Sequence, residues 1–146
     1  MTLAHSLRPW ALHGSMAIFV ASLAGLSATG AEGSSAFVTQ VCTGGGQLCN
    51  NLATHQVNIN TGGIGQGRFQ PGPLTCSNFR VHFLVDGTEV AVTGFVGPGG
   101  DTGFVSLGFI GPGTHTLGVR AEGQVSGCNT GNLVSWAGTV TLQKAP

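Results

Sequence analysis

Residues 111–121 read Gly-Pro-Gly-Thr-His-Thr-Leu-Gly-Val-Arg-Ala, and they carry the clearest fold signal in this chain of 146 residues. The Gly-Pro-Gly triplet is typical of a tight turn. After the turn the side chains alternate, with His115, Leu117, Val119 and Ala121 on one face. This period of two predicts a half-buried β-strand that is entered from the turn.

Similar alternation appears on both sides of this stretch. The strongest case is 78–85, where Phe79, Val81 and Phe83 share one face, and the Asp-Gly pair that follows favours a hairpin. Alternating segments predict seven strands, at 34–41, 52–60, 78–85, 88–95, 102–110, 111–121 and 132–142. Short strands separated by turns at this density favour an antiparallel β-sandwich of two sheets.

The turn and strand at 111–121 resemble the corner and penultimate strand of immunoglobulin-like β-sandwiches, especially the modules of secreted bacterial proteins. The resemblance covers about the last 70 residues and implies an all-β, two-sheet architecture. It departs from antibody domains because Cys76 and Cys128 stand at strand edges and because the chain contains no Tyr for the corner. The resemblance therefore implies a fold and identifies no function.

Composition narrows the classes of protein that remain. The chain has 26 glycines, only 7% charged residues and a formal net charge of zero. A neutral chain offers no basic patch for phosphates, so nucleic acid is not an expected partner. Low charge also favours close approach between neighbouring copies, which makes a homo-oligomer possible.

Residues 1–31 have the pattern of a secretory signal peptide. Arg8 supplies a positive start, residues 16–28 form an apolar core, and small residues follow at Ala28, Gly30 and Ala31. The apolar run is shorter than the roughly 20 residues of a membrane span, although a membrane anchor is the alternative. We therefore expect an exported domain at 32–146, secreted or held in the periplasm or at the cell surface, with no membrane contact after cleavage. The chain has no Asn-x-Ser/Thr sequon, which agrees with a bacterial source.

All four cysteines follow the expected cleavage site. An even number in a small exported domain predicts two disulfides. Three pairings are possible, and we favour Cys42–Cys49, which bracket a flexible Gly-rich loop, together with Cys76–Cys128, which flank strands of one sandwich end. On the chain-entropy model the long link stabilises by about 4 kcal/mol and the short one by about 2–3 kcal/mol.

Residues 61–73 are rich in Gly and Pro and are predicted to form a loop. The glycines lack the spacing of a dinucleotide site, and no Gly-Lys-Ser/Thr follows, so no nucleotide cofactor is expected. Phe69 is the only aromatic residue of this segment and stands next to Arg68. The two residues are the candidate ligand contacts, and the alternative is that Phe69 covers the end of the sandwich.

The expected exported domain contains three histidines, His55, His82 and His115. Imidazole is a common metal ligand, but no two of them stand at a short local spacing. If their strands are neighbours, His82 and His115 point to opposite faces of the sheet. The prediction is isolated histidines and no metal or other cofactor.

The carboxylates do not form a recognisable catalytic set. Asp86 and Asp101 lie in predicted turns, which explains them structurally. Glu89 and Glu122 could pair across a sheet or could be solvated. No Gly-x-Ser-x-Gly elbow occurs, so no enzyme activity is expected.

The sequence therefore favours a non-catalytic exported module that recognises an extracellular protein or glycan, or that has a structural role in the envelope. Binding is expected where 61–75 and 123–131 meet at the cysteine-linked end. One alternative is a self-assembling surface subunit, pilin-like or coat-like, which would pair strand edges. A less favoured alternative is a small secreted metal-binding protein or enzyme.

Overall fold

The computed structural model describes residues 33–146, which form eight β-strands. They are β1 (Gly33–Val41), β2 (Ala53–Ile59), β3 (Gly63–Pro71), β4 (Phe79–Val85), β5 (Thr88–Val92), β6 (Val105–Ile110), β7 (Gly113–Gly123) and β8 (Ser135–Lys144). Among these residues no helix is long and apolar enough to cross a membrane. The predicted signal peptide at 1–31 lies outside the described residues.

The strands form two four-stranded sheets. Sheet A has the order β1-β8-β3-β6 and sheet B the order β2-β7-β4-β5, and every pairing is antiparallel. The stretch that opened the sequence analysis is the central strand β7 of sheet B. The predicted all-β, two-sheet antiparallel sandwich is confirmed.

One strand was missed. Residues 61–73 were predicted to be a loop, but Gly63–Pro71 is β3, which lies between β8 and β6 in sheet A. The sandwich therefore has eight strands instead of about seven. Two four-stranded sheets in which most neighbours are distant in sequence give the strand order of a jelly roll rather than the seven-stranded immunoglobulin order.

The glycines of β3 are explained by close packing. Gly65 and Gly67 face the interior, and a Cβ at Gly67 would lie only 3.0 Å from the ring of Phe83. A Cβ at Gly65 would similarly collide with the side chain of Ile110. Glycine in a strand often marks such a close approach, and here it lets large side chains of other strands cover the backbone.

Phe69 is at the centre of the core. It is fully buried, and its ring meets the rings of Phe79 and Trp136 edge to face, with centroid distances of 5.6 and 5.7 Å. On the neighbouring strand β8, a Cβ at Gly138 would collide with the Phe69 ring. The register between β1 and β8 runs through Gly138 without a shift, so this glycine does not mark a bulge. The residue makes room for Phe69 instead.

The Asp-Gly hairpin is confirmed. β4 and β5 are joined at Asp86 and Gly87, whose φ angles of 51° and 82° are the left-handed values that a two-residue hairpin turn requires. Both predicted disulfides are also confirmed, with Cα–Cα distances of 5.0 Å for Cys42–Cys49 and 5.6 Å for Cys76–Cys128. The second link ties the loop after β3 to the loop after β7.

Candidate functional site

A cleft of about 370 Å³ opens at the end of the sandwich that carries the Cys76–Cys128 disulfide. Its walls come from the outer face of sheet A, where β1 ends and β8 begins, and from the two loops that the disulfide joins, 72–78 and 124–134. The loop after β3 is held against β8 by a hydrogen bond from the N–H of Gly72 to the carbonyl of Ala137, at 3.0 Å. The size is within the usual range for small-ligand sites.

Three large apolar side chains at the cleft are exposed. Phe37 is 68% exposed, Leu74 96% and Val134 68%, and all three line the cleft. They come from β1, from the loop after β3 and from the residue before β8. Single exposed apolar residues are ordinary on a protein surface, but three around one concavity are typical of a binding site.

The polar groups of the cleft are all neutral. Hydroxyl groups come from Thr39, Ser77 and Ser135, and an amide comes from Asn132. The side-chain oxygen of Asn132 accepts a hydrogen bond from the N–H of Gly46, at 2.5 Å, which fixes the orientation of the amide. None of the described residues that line the cleft is charged, so it is suited to an uncharged ligand.

Trp136 borders the cleft while its ring belongs to the core. The side chain is 2% exposed, and its indole Nε1 has no hydrogen-bond acceptor among residues 33–146. A buried donor without a partner is costly, and in native proteins it calls for an explanation. The indole N–H is therefore an unsatisfied donor in the core beside the cleft.

The two predicted ligand contacts lie elsewhere. Phe69 is fully buried in the core and cannot contact a ligand. Its position is closer to the alternative prediction, in which Phe69 covers the end of the sandwich. Arg68 points to the outer face of sheet A, where its Nε donates to Asp101 Oδ1 at 2.8 Å and its guanidinium stacks over Phe104 at 5.5 Å. The predicted region, the cysteine-linked end, does contain the cleft, but neither Arg68 nor Phe69 is among its lining residues.

A charged network covers the outer face of sheet B. Its centre is His82, whose Nδ1 lies 3.1 Å from Glu89 and whose Nε2 lies 3.0 Å from Glu122. Arg120 donates to Glu89 at 2.8 Å and Arg80 donates to Glu122 at 2.9 Å. The sequence left two alternatives for Glu89 and Glu122, pairing across the sheet or solvation. The structure pairs them through the histidine between them. His82 is not isolated as predicted, because the register of β4 with β5 and β7 brings both carboxylates to it.

The network lowers the pKa of both carboxyl groups. The guanidinium of Arg120 is the largest cause at Glu89, and His82 adds to it. Burial opposes ionisation of Glu122, but the hydrogen bonds from His82 and Arg80 outweigh it, so its pKa also lies below the ordinary value. Groups held ionised and neutralised by partners are structural, and they are poor proton donors or acceptors at neutral pH.

His115 and Asp86 form a second pair. The Nδ1 of His115 lies 2.7 Å from Asp86, whose other oxygen accepts the N–H of Thr116 at 2.9 Å. The bond to Asp86 raises the pKa of His115, and the same bond, helped by Thr116, lowers the pKa of Asp86. As expected, His82 and His115 face opposite sides of sheet B, because β4 and β7 present them with opposite parity.

In the part of the chain that the structure describes, no cluster of side chains is assembled for catalysis or for metal binding. Residues 33–146 contain no cluster of three or more His, Cys, Asp or Glu that could hold a metal ion. His55 lies half-buried on the inner face of β2 beside Val57, whose partner on β7 is His115. The cleft contains none of the titratable residues.

Sequence reasoning missed the residues that form the cleft. Phe37 lies in the predicted strand 34–41 and was not chosen as a ligand contact, yet in β1 the odd-numbered residues face outward. The alternation of 34–41 contained this signal, since Val38 faces inward and Phe37 must then face solvent. Leu74 lies in a loop whose path depends on the Cys76–Cys128 link, so no local pattern could identify it.

No protein-family model and no curated protein matches the sequence. Among solved structures, the chain is similar to the CBM36-1 domain of a multidomain xylanase from the hindgut metagenome of Trinervitermes trinervoides. The two are 11% identical, the alignment covers 77% of this chain and 99% of that one, and the TM-score is 0.45. A likeness at this level supports no conclusion about function.

Proposed function

We propose that this protein is an exported, non-catalytic recognition module that binds a neutral glycan in the cleft beside the Cys76–Cys128 disulfide. The observation that carries the proposal is the exposure of Phe37, Leu74 and Val134 around a cleft lined by uncharged residues. Export is supported by the pattern of residues 1–31 and by two disulfides in a small domain.

The chemistry of the cleft fits a sugar. A pyranose ring has an apolar face of C–H groups, which can lie against the ring of Phe37, and a rim of hydroxyl groups. The hydroxyls of Thr39 and Ser135 and the amide of Asn132 can exchange hydrogen bonds with that rim.

A charged ligand fits less well. A carboxylate or phosphate would be bound most readily by an arginine. Three of the four cationic residues among 33–146 are arginines, and each is already paired with a carboxylate. The fourth cation, Lys144, donates to Thr61 at the far end of β8. A neutral, apolar segment of a partner protein is the competing ligand, and the experiment separates the two.

Trp136 makes the test direct. Trp10 and Trp136 are the only tryptophans of the chain, and Trp10 lies in the expected signal peptide. We would titrate the exported protein with neutral polysaccharide fragments built from hexoses and from pentoses, with a polyuronate, and with an apolar neutral peptide, and follow tryptophan fluorescence. A saturable change with one of the neutral sugars alone supports the proposal.

The matched variants are Phe37→Ala and Phe109→Ala, because these aromatic residues are 68% and 72% exposed on the two edge strands of sheet A. Loss of one exposed aromatic anchor should weaken binding about tenfold or more. Phe109→Ala should leave it unchanged. Equal effects of both variants, a response to the peptide only, or no response to any sugar would contradict the proposal.

A further inference from the structure

β1 is an edge strand without the usual protection against pairing. Within the described residues its one neighbouring strand is β8, and no strand pairs with the backbone N–H and C=O groups on its other side, where Asn51 donates to the carbonyl of Val41 at 2.8 Å. Natural edge strands are commonly shortened, charged, bulged or interrupted by proline. β1 has nine residues, Gly-Ser-Ser-Ala-Phe-Val-Thr-Gln-Val, with no charge, no proline and no shift of register.

The other three edges are less suited to pairing. β5 has five residues and carries Glu89, and β6 has six residues with a register shift opposite Gly65 and a left-handed Gly108. β2 has seven residues and carries His55. β1 is also the only edge strand on which two large apolar side chains, Phe37 and Val41, are both about two-thirds exposed.

The backbone of β1 shows which residues face its free side. The N–H of Cys42 donates to the carbonyl of Val134, so at this end an even-numbered residue bonds to the neighbouring strand. Alternate residues of an antiparallel strand bond to opposite sides. Gly33, Ser35, Phe37, Thr39 and Val41 therefore turn their N–H and C=O groups away from β8.

We infer that two copies of this chain associate through β1, antiparallel, around a twofold axis at Phe37. In that register Gly33 meets Val41, Ser35 meets Thr39 and Phe37 meets its own counterpart. These residues face the free side, so the Phe37 pair and both Ser35–Thr39 pairs can exchange hydrogen bonds, while the carbonyl of Val41 already accepts one from Nδ2 of Asn51. The contact is self-complementary, as a closed dimer requires.

The side chains agree with this register. Phe37 of one copy lies directly opposite Phe37 of the other on the outer face, and aromatic pairs across strands stabilise a sheet. The side chains of the flanking Ser35–Thr39 pairs are small and uncharged, so they do not repel one another. The two four-stranded sheets A become one continuous sheet of both copies.

The dimer has a consequence for recognition that rests on the proposed function. A twofold axis perpendicular to a continuous sheet keeps the two outer faces on the same side. The two clefts would then open in one direction, on either side of the Phe37 pair. A long polysaccharide could occupy both, and such bivalency raises apparent affinity by about 100-fold or more when the geometry allows it.

The experiment uses a proline that removes one outward N–H. Ser35→Pro leaves the bonds to β8 intact because Ser35 faces the free side, and Ser35 does not line the cleft. Its control is Ser35→Ala, which loses the same hydroxyl bond to Thr141 but keeps the N–H. Sedimentation equilibrium of the exported protein from micromolar to millimolar concentration should show a dimer for wild type and Ser35→Ala and a monomer for Ser35→Pro.

A second measurement does not depend on tolerance of proline. Phe37→Cys should form a covalent dimer under mild oxidation, because opposite residues of a bonded pair lie at a distance that a disulfide can span. Phe109→Cys, equally exposed on the other edge, should not. A monomeric wild type at all concentrations, or a dimer that Ser35→Pro preserves, would overturn the inference. Short-sugar binding to monomeric Ser35→Pro, read from Trp136, would leave the proposed function standing by itself.

Discussion

The ring of Phe69 meets the indole of Trp136 edge to face, with their centroids 5.7 Å apart. This contact joins the core to the cleft, because Phe69 is fully buried on β3 while Trp136 borders the cleft from β8. The position of the cleft base is therefore set by core packing. A change in the core beneath Trp136 should reach the binding site.

Phe69→Ala should lower the free energy of unfolding by about 3–5 kcal/mol, as is usual when a buried phenylalanine is replaced by alanine. It should also shift the emission of Trp136, since the indole loses its edge-to-face partner. Urea unfolding followed by circular dichroism measures the first effect. Phe104→Ala is the control, because Phe104 is 41% exposed and its main contact, the guanidinium of Arg68, is worth about 1 kcal/mol.

Gly138→Ala should destabilise the sandwich although alanine is a better strand residue than glycine. The added Cβ would collide with the Phe69 ring and with the carbonyl oxygen of Gln70, and overpacking of this kind costs about 1–3 kcal/mol. Gly94→Ala is the matched control, because nothing lies within 4 Å of its Cβ position. Thermal unfolding of the two variants should separate them, and equal midpoints would show that Gly138 is not a packing glycine.

Loss of the Cys76–Cys128 disulfide should cost more than loss of Cys42–Cys49. The sequence separations are 52 and 7 residues, for which chain entropy gives about 4 and about 2–3 kcal/mol. The paired Ser variants can be compared by urea unfolding. Cys76→Ser/Cys128→Ser should also weaken ligand binding, because the link orders the loop that carries Leu74. Retention of full binding in that variant would contradict the role given to the disulfide end.

The pair of His115 and Asp86 should make stability depend on pH. The pKa of His115 is raised in the folded state, so its contribution is complete below about pH 6.5 and is lost as pH rises through the raised value. The pKa of Asp86 is lowered, so its contribution is present above about pH 4 and is lost as pH falls through the lowered value. The pair therefore stabilises most between these limits.

Asp86→Asn should remove this dependence. The difference in urea midpoint between wild type and Asp86→Asn should be largest near pH 5 to 6 and should shrink toward pH 8. Asp101→Asn provides the control, because it breaks the pair with Arg68 and leaves His115 untouched. A difference that stays constant from pH 5 to 8 would mean that the two groups are not coupled.

The strands with regular alternation could be predicted from sequence. On β4 the side chains of Phe79, Val81 and Phe83 face the core of the sandwich, as their spacing predicted, and the Asp-Gly turn follows them. β3 could not be predicted in the same way, because its inward positions include Gly65 and Gly67. Those glycines are required by Phe83 and Ile110, which lie on other strands, so the reason for them is tertiary and has no local signature.

The region of the cleft was predicted more closely than its residues. The cysteine pairing placed the expected binding site where 61–75 and 123–131 meet, and the cleft lies at that end of the sandwich. Arg68 and Phe69 were chosen because they stood out in a segment interpreted as a loop. Once that segment is a strand, alternation sends Phe69 inward and Arg68 outward to Asp101. The His82 network was missed because it depends on the register of three strands.

The central claim is that a neutral sugar occupies the cleft that Trp136 borders. Its most direct test is the indole N–H resonance of Trp136 in the exported, ¹⁵N-labelled protein, which should contain a single indole signal if residues 1–31 are removed. We expect saturating neutral oligosaccharide to shift this resonance, because Trp136 borders the cleft. An indole resonance that stays in place while the sugar binds elsewhere on the domain would contradict the claim.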